Sequence, residues 1–228
     1  MLLRIELMKK AFYILILLLL FGFLRLNAQN LDSLLSELES TPGPLYALST
    51  FESTRVVLGQ SVEAPVKDEL TLIISHRFGN IKGGIYDFLG MDQAFNRVGL
   101  EYGINDIVGL AIGRNSYEKT YDGAFKFRLL RQQSGLKQIP LSVSWYSAIF
   151  VSTLKWTDPE RDNLFTSRLS YVNQLLIARK FSKRFSLQLS PSHIHRNLVE
   201  REIDQNDVFA LGVSGKYNFT RKISVNAE

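Results

Sequence analysis

The stretch Asp207-Val208-Phe209-Ala210-Leu211-Gly212-Val213-Ser214-Gly215-Lys216-Tyr217-Asn218-Phe219 alternates along its length. Phe209, Leu211, Val213, Tyr217 and Phe219 fall on one side of an extended chain, and Ser214, Lys216 and Asn218 fall on the other. Successive side chains of a strand point in opposite directions, so a period of two marks a strand whose faces meet different surroundings. The stretch is also longer than the roughly 5 to 6 residues usual in soluble sheets, and it reaches the roughly 9 to 11 that a tilted strand needs to cross a bilayer.

The pattern recurs toward the N-terminus. Leu70, Leu72 and Ile74 share a side, as do Phe125, Phe127 and Leu129, and then Leu141, Val143, Trp145, Ile149 and Val151. Phe165, Leu169, Tyr171, Leu175 and Ile177 follow, then Phe185, Leu187 and Leu189. The opposite face collects Arg77, Arg97, Glu101, Lys126, Arg128, Arg168, Gln174, Gln188, Arg196, Ser214, Lys216 and Asn218. Strands are predicted at Thr50 to Leu58, Glu69 to Phe78, Gln93 to Ile104, Ile107 to Arg114, Thr120 to Arg131, Ile139 to Leu154, Asn163 to Lys180, Arg184 to Leu198, Asp207 to Thr220 and Lys222 to Glu228.

Alternation alone does not say which face is inside. A soluble lipocalin-like barrel turns its apolar face inward and binds an apolar ligand there; an outer-membrane barrel turns that face to lipid and keeps a polar lumen. Ten strands enclose more space than these side chains fill, and aromatic residues gather near strand ends as membrane girdles do. Tight joints at Gly103 to Asp106, Phe181 to Lys183 and Thr220 to Arg221 follow odd-numbered strands. Longer connections at Gly79 to Asp92, Lys155 to Asp162 and Val199 to Asn206 follow even-numbered ones, as short periplasmic turns and longer outer loops would; Gly59 to Asp68 and Gln132 to Gln138 are long on the short side, and Asn115 to Lys119 is short on the outer side. The expected fold is therefore all-β: an antiparallel up-and-down transmembrane β-barrel with about ten strands present. Lys222 to Glu228 lacks an aromatic ending, so a complete barrel of about twelve strands is expected, with 50–228 a truncated barrel domain.

A leader precedes the strands. The apolar run Ala11 to Leu24, after Lys9 and Lys10, has the length of a signal-peptide core and is short for a membrane-spanning helix. Residues 1–28 read as a signal peptide cleaved after Ala28, with Met8 as a natural start. Leu31, Leu34, Leu35 and Leu38 then recur at helical spacing before Thr41-Pro42-Gly43-Pro44, so 29–49 is expected to be a short periplasmic helix and linker. Arg4, Glu6, Lys9, Lys10 and Arg25 lie in the leader, and the mature chain keeps 23 basic against 21 acidic residues of the original 27 and 22. This near balance, with no basic tract interleaved with stacking aromatics, argues against nucleic acid as a partner. The absence of cysteine excludes an acylated lipoprotein anchor, disulfides and thiolate metal sites.

Several motifs occur in order along the chain: Ser75-His76-Arg77-Phe78-Gly79, Lys119-Thr120-Tyr121-Asp122-Gly123, Leu129-Leu130-Arg131-Gln132, Asp158-Pro159-Glu160-Arg161, Leu175-Leu176-Ile177-Ala178-Arg179-Lys180-Phe181 and His195-Arg196-Asn197-Leu198-Val199. Over Thr50 to Glu228 the chain resembles an uncharacterised family of Bacteroidota outer-membrane barrels, catalogued as domain of unknown function 5777. The resemblance implies a secreted or membrane β-barrel, and it brings no catalytic or binding residues.

Candidate chemistry is sparse. His193 and His195 lie two apart on one strand face near the outer rim, but a metal site needs further ligands and the third histidine is His76. Interfacial packing is the expectation, with no metal and no cofactor. A lipid-modifying enzyme would need a serine such as Ser147, Ser152 or Ser170 beside one of these imidazoles. Gly79, Gly83, Gly84 and Gly90 punctuate a loop holding Ile85-Tyr86-Asp87-Phe88-Leu89. It lacks the context of a phosphate cradle and reads as a short amphipathic helix on the rim. Asp158-Pro159-Glu160-Arg161-Asp162 lacks the spacing of a calcium loop and reads as a solvated turn. The basic row Arg77, Arg97, Lys126, Arg128, Arg168, Arg196 and Lys216 outnumbers Glu69, Glu101 and Asp122, and inside a lumen it would favour anions unless it is paired in a ladder, to the N-terminal segment or to further strands. The expected role is a non-enzymatic pore, transport component or structural partner in the outer membrane, with membrane lipid, small anions or another envelope protein as partners.

Overall fold

The computed structural model describes residues 44–228 apart from Leu136, Thr157, Glu200, Glu202 and Arg221. The leader, the predicted helix at 31–38 and the first part of the linker lie outside the described residues. Eleven strands follow in chain order: β1 (Leu45–Tyr46), β2 (Leu70–Arg77), β3 (Phe95–Gly103), β4 (Val108–Asn115), β5 (Thr120–Leu130), β6 (Gln133–Ser134), β7 (Ser142–Ser152), β8 (Leu169–Lys180), β9 (Phe185–Arg196), β10 (Asp207–Asn218) and β11 (Ser224–Ala227). Nine of them form one antiparallel meander in the order β11-β10-β9-β8-β7-β5-β4-β3-β2, while β1 and β6 pair beside it. Each neighbour in the sheet is also a neighbour in sequence apart from the β6 excursion, which is the up-and-down topology the alternation predicts. Strands β2 and β11 are the edges, and among the described residues they do not pair with one another.

Strand register fixes the faces. Arg97 stands opposite Ser75 and Asn115, Asp122 opposite Gly113 and Phe150, Lys126 opposite Gly109 and Tyr146, and Gln188 opposite Ala178 and Ser214. Directly opposed residues share a side of a sheet, so these polar groups belong to one continuous face. That face is the buried one. Ser144, Ser186, Ser190, Ser214, Gln188, Glu101, Asp122, Lys126 and Lys216 are all buried, while Leu70, Leu72, Ile112, Leu211 and Phe209 on the other side are exposed, Phe209 by 81%. A soluble barrel has the reverse distribution. Apolar side chains outward and polar ones inward is the arrangement of a wall that faces hydrocarbon.

The sheet is rolled. Arg55 reaches Glu101 on β3, and three residues later the backbone of Leu58 reaches Glu228, next to β11. Seven strand spacings in a flat sheet would separate β3 from β11 by roughly 34 Å, far beyond three residues of extended chain.

One predicted strand is not there. Thr50 to Leu58 has no place in the sheet; residues 50–66 instead lie against its polar face, in a hairpin bridged between Arg55 and Gln60. In a regular strand 50–58 would offer Thr50, Glu52, Thr54, Val56 and Leu58 to one side and Phe51, Ser53, Arg55 and Val57 to the other, and neither set suits lipid. The remaining predicted strands are present with trimmed ends, and the start of Asn163 to Lys180 is a 3-10 turn at Phe165–Arg168. The glycine-punctuated loop carries two 3-10 turns, Ile81–Gly83 and Phe88–Gln93, in place of the expected amphipathic helix, because left-handed Leu89 and Gly90 interrupt any longer run. Among the described residues no helix is long and apolar enough to cross a membrane, which leaves crossing by strands untouched.

The two neighbouring residues Leu211 and Ala210 test the orientation. An arginine at outward Leu211, near the middle of β10, is expected to cost about 2–4 kcal/mol of stability in a bilayer, whereas Ala210→Arg on the inner face costs far less. Denaturant titration of the vesicle-inserted protein measures both; the opposite ranking would make the apolar face the interior.

Candidate functional site

The polar face is organised around the segment it encloses. Lys180 donates from Nζ to the carbonyls of Leu48 and Ser49, both at 3.1 Å, where the chain enters, and Gly103 accepts from the Asp68 amide at 2.8 Å where it leaves. Lys180 and Gly103 end β8 and β3 at the short-turn end of the sheet, so 50–66 enters and departs through the same mouth. Between these points Ser61 donates its amide to Thr54, and Val56 donates to Gly59, which closes the hairpin with Val57 and Leu58 at its tip.

At the centre of the contact Lys126 is buried with its ammonium donating to the carbonyls of Thr54, Ser61 and Glu63 at 3.0, 3.0 and 2.9 Å. An ammonium has three donors, and all three are used on the segment's main chain. Gln188 supports it from β9: its Oε1 accepts from the Val62 amide at 2.7 Å and its Nε2 donates to the Gln60 carbonyl at 2.8 Å. Ser144 on β7 donates to the Val62 carbonyl at 2.6 Å. Apolar packing completes the seat, with Phe51 and Val62 buried against Tyr146, Ala148, Leu176 and Ala178. The backbone comes too close to the wall for side chains at two positions. The Val66 carbonyl occupies the place of a Cβ on Gly103, and Pro65 Cδ would lie 2.6 Å from a Cβ on Gly109.

Ion pairs hold the flanks. Lys216 Nζ meets Glu52 at 2.6 Å, and Arg55 Nη2 meets buried Glu101 at 3.4 Å. Glu228 Oε2 accepts from the amides of Leu58 and Gly59 at 3.0 and 2.9 Å. Attachment is uneven, because Arg55 Nε is buried without a hydrogen-bond partner among the described residues. A buried unsatisfied donor costs about 1–3 kcal/mol, so the Arg55 contact holds less well than the Lys126 contact.

These contacts account for three members of the predicted basic row: Lys126 and Lys216 bind the segment, and Arg97 pairs with buried Asp122 through Nε at 3.0 Å and through Nη2. The structure does not gather the other four with them. Arg128 donates to the Asp106 carbonyl in the turn after β3, at 2.7 Å. Arg168 donates to the carbonyls of Ser152 and Leu154 with its guanidinium 3.9 Å from the Trp156 ring centroid. Arg77 and Arg196 are exposed at the loop ends of β2 and β9. Ser144, Tyr146 and Glu228 carry no mark in the sequence that sets them apart from other inward positions; their importance comes from what lies over them. The one available signal was the failure of 50–58 to alternate cleanly.

The residue pattern of a membrane barrel extends to the whole of this region. The model of the DUF5777 family, described as a membrane bound beta barrel domain, matches residues 51–228. The chain belongs to the DUF5777 family. No curated protein and no solved structure matches it. The DUF5777 match begins at Phe51, so the enclosed segment belongs to the family domain together with the sheet.

The histidines of this DUF5777 domain are on its outward face. His193 Nε2 and His195 Nδ1 each lie 2.8 Å from the same oxygen, Oδ1 of Asp207, at the loop end of β9 and β10. Phe209 stacks on His193 at 4.9 Å between ring centroids, and Tyr171 lies 6.2 Å from His195. No group of three His, Cys, Asp or Glu arranged to hold a metal ion occurs among the described residues. Ser152 and Ser170 are on the inward face, away from both imidazoles. Ser147 faces outward, yet Asn173 on β8 stands between it and His193, which sets the backbones of Ser147 and His193 roughly 10 Å apart. In the 158–163 loop Asp158 turns inward on its own chain: its Oδ1 accepts from the Glu160 amide and its carbonyl accepts from the Asn163 side chain.

Replacing Lys126 separates its role from that of Arg55. Lys126→Met leaves three carbonyls without their charged donor and is expected to weaken docking of 50–66 by about 3 kcal/mol, while Arg55→Met costs about 1 kcal/mol. Hydrogen exchange at the amides of Ser61 and Val62 measures the difference.

Proposed function

We propose that this membrane-bound barrel resides in an outer membrane, does no chemistry of its own, and acts as a transport component whose passage is held shut by residues 50–66. The observation that carries this reading is the use of the inner wall. Lys126, Gln188, Ser144, Lys216 and Glu228 direct their polar atoms at one short segment of the same chain. A purely structural wall needs only apolar filling, whereas a segment held mainly by hydrogen bonds and ion pairs, with Phe51 and Val62 as its apolar footing, can be released as a unit. Its two ends leave through the same mouth, so release requires no threading.

The absence of chemistry is supported by the separation of the histidines from the inward serines and by the strand between Ser147 and His193. Outer-membrane residence is supported by the alternation of short turns at 104–107, 181–184 and 219–223 with longer connections at 78–94, 153–168 and 197–206, from which 131–141 and 116–119 depart. Membrane lipid is then the partner of the outward face. Once 50–66 is displaced, Lys126, Arg128 and Lys216 line the passage against Glu101 and Glu228, Arg97 stays paired with Asp122, and Arg77, Arg168 and Arg196 stand at its loop end; this cationic excess favours small anions.

Planar-bilayer recording tests the gate. Wild-type protein is expected to conduct little, and a Lys126→Met/Arg55→Met variant to open intermittently with an anion-favouring reversal potential. The chain has no native cysteine, so Glu52→Cys with Lys216→Cys, bridged by a thiol-reactive cross-linker with a cleavable spacer, offers a lock that closes the variant and reopens it when the spacer is cut. Steady current through the locked protein would refute the gate. Silence of the released variant, with its folded mobility intact on an unheated gel, would leave a structural role.

A further inference from the structure

The connection between β2 and β3 is built unlike the rest of the loop end. Ile85 is 89% exposed and Tyr86 93%, and Ile81, Phe88 and Leu89 are exposed beside them, with Lys82 and Asp87 the only charges between Phe78 and Met91. The exposure does not come from a loose chain. Gly79 donates its amide to the Gly90 carbonyl at 2.8 Å, Leu89 donates to Gly84 at 2.8 Å, and the Asn80 side chain accepts from the Lys82 amide. Phe88 and Leu89 take left-handed backbone angles, φ 45° and 56°, which are unfavourable for side chains of this size. A loop that holds itself in a strained shape with its large apolar groups turned out is shaped for contact with something apolar.

We infer that residues 81–89 form a lipid anchor that seats Ile85, Tyr86 and Leu89 at the headgroup–acyl boundary of the leaflet on the loop side. Continuity with the lipid-facing wall selects this occupant. Leu70, Leu72 and Ile74 climb the outward face of β2, and exposed Phe78 extends their line into the loop. Tyrosine and other aromatic groups are favoured at that depth, where an apolar ring and a polar tip are both accommodated. The near absence of charge distinguishes the loop from the 153–168 connection, which carries Lys155, Asp158, Glu160, Arg161 and Asp162 into solvent. The anchor would set how deep the β2 edge sits and would hold that edge against the bilayer. It rests on the membrane reading of the barrel and on nothing about the gate.

A fluorescent reporter tests it in vesicles of phosphatidylcholine with and without bromine atoms high on the acyl chains. One variant carries Tyr86→Trp with Trp145→Phe and Trp156→Phe; a second carries Trp156→Phe alone and keeps Trp145 as a reporter of the outward wall. The expected result is that the reporter at position 86 emits at short wavelength and loses as large a fraction of its intensity to bromine as Trp145 does. Quenching of Trp145 with none at position 86 would overturn the anchor and leave the barrel standing. Absence of quenching at both positions would fail the membrane reading itself. A blue-shifted, unquenched position 86 whose emission depends on protein concentration would assign the loop to a second copy and overturn the lipid. Ile85→Cys carrying a nitroxide gives the same depth by oxygen accessibility if the tryptophan variants fold poorly.

Discussion

A wall that turns hydrocarbon-loving side chains outward must bring its polar ones together inside, and there they need partners. The Lys126 ammonium is where this constraint is met most fully. It is buried among strands whose inward groups include Glu101, Gln188, Ser144 and Lys216, and in place of a single counter-ion it has three main-chain carbonyls. A carbonyl trio is available only where a chain doubles back on itself, as 50–66 does between Thr54 and Glu63. The hairpin and the lysine therefore imply each other: without the hairpin the cation would be stranded, and without the cation the Ser61 and Glu63 carbonyls would lose the donor that reaches them.

The remaining inward features follow from that seat. Glycines 103 and 109 lie where the segment leaves, and the two flanking pairs, Glu52 with Lys216 and Arg55 with Glu101, reach strands on opposite sides of it. Arg97 and Asp122 pair without the segment, with Arg97 Nη1 buried and without a partner among the described residues. The wall therefore contains pairs that stand without the segment, Arg97 with Asp122 and Gln174 with Ser192, and a larger set of polar groups that are complete only while 50–66 is docked. This division is what makes the segment suited to a gate, since its departure exposes charged groups to water, and the apolar contact given up is the small cluster of Phe51 and Val62 against Tyr146, Ala148, Leu176 and Ala178.

Much of this was legible in the sequence, for a reason that has limits. The strands of the main sheet can be read because Leu72, Phe127, Leu189 and Leu211 each meet the same surroundings, so a simple period carries the information; β1 and β6, two residues each, carry no such period. Their faces were assigned correctly for the same reason. The segment 50–58 reads as a strand but is not one, because its residues answer to a surface made by distant strands, and nothing local encodes Lys126, Gln188 and Ser144 as its partners. The basic row was readable as a row but its pairing was not, since Lys216 and Glu52 are 164 residues apart. Asp207 could have been noticed as an acid at a strand start, but only register places it within reach of His193 and His195 together.

The carboxylate of Glu228 accepts from the amides of Leu58 and Gly59, contacts that close over 170 and 169 residues of chain. Contacts of such separation form late, because the intervening chain must be organised before they return any free energy. The hairpin near the start of the domain cannot reach its final state until the strand at the far end of the sheet arrives. A wall that has not rolled as far as β11 leaves the Leu58 and Gly59 amides unanswered, so the arrival of β11 is registered at the hairpin tip.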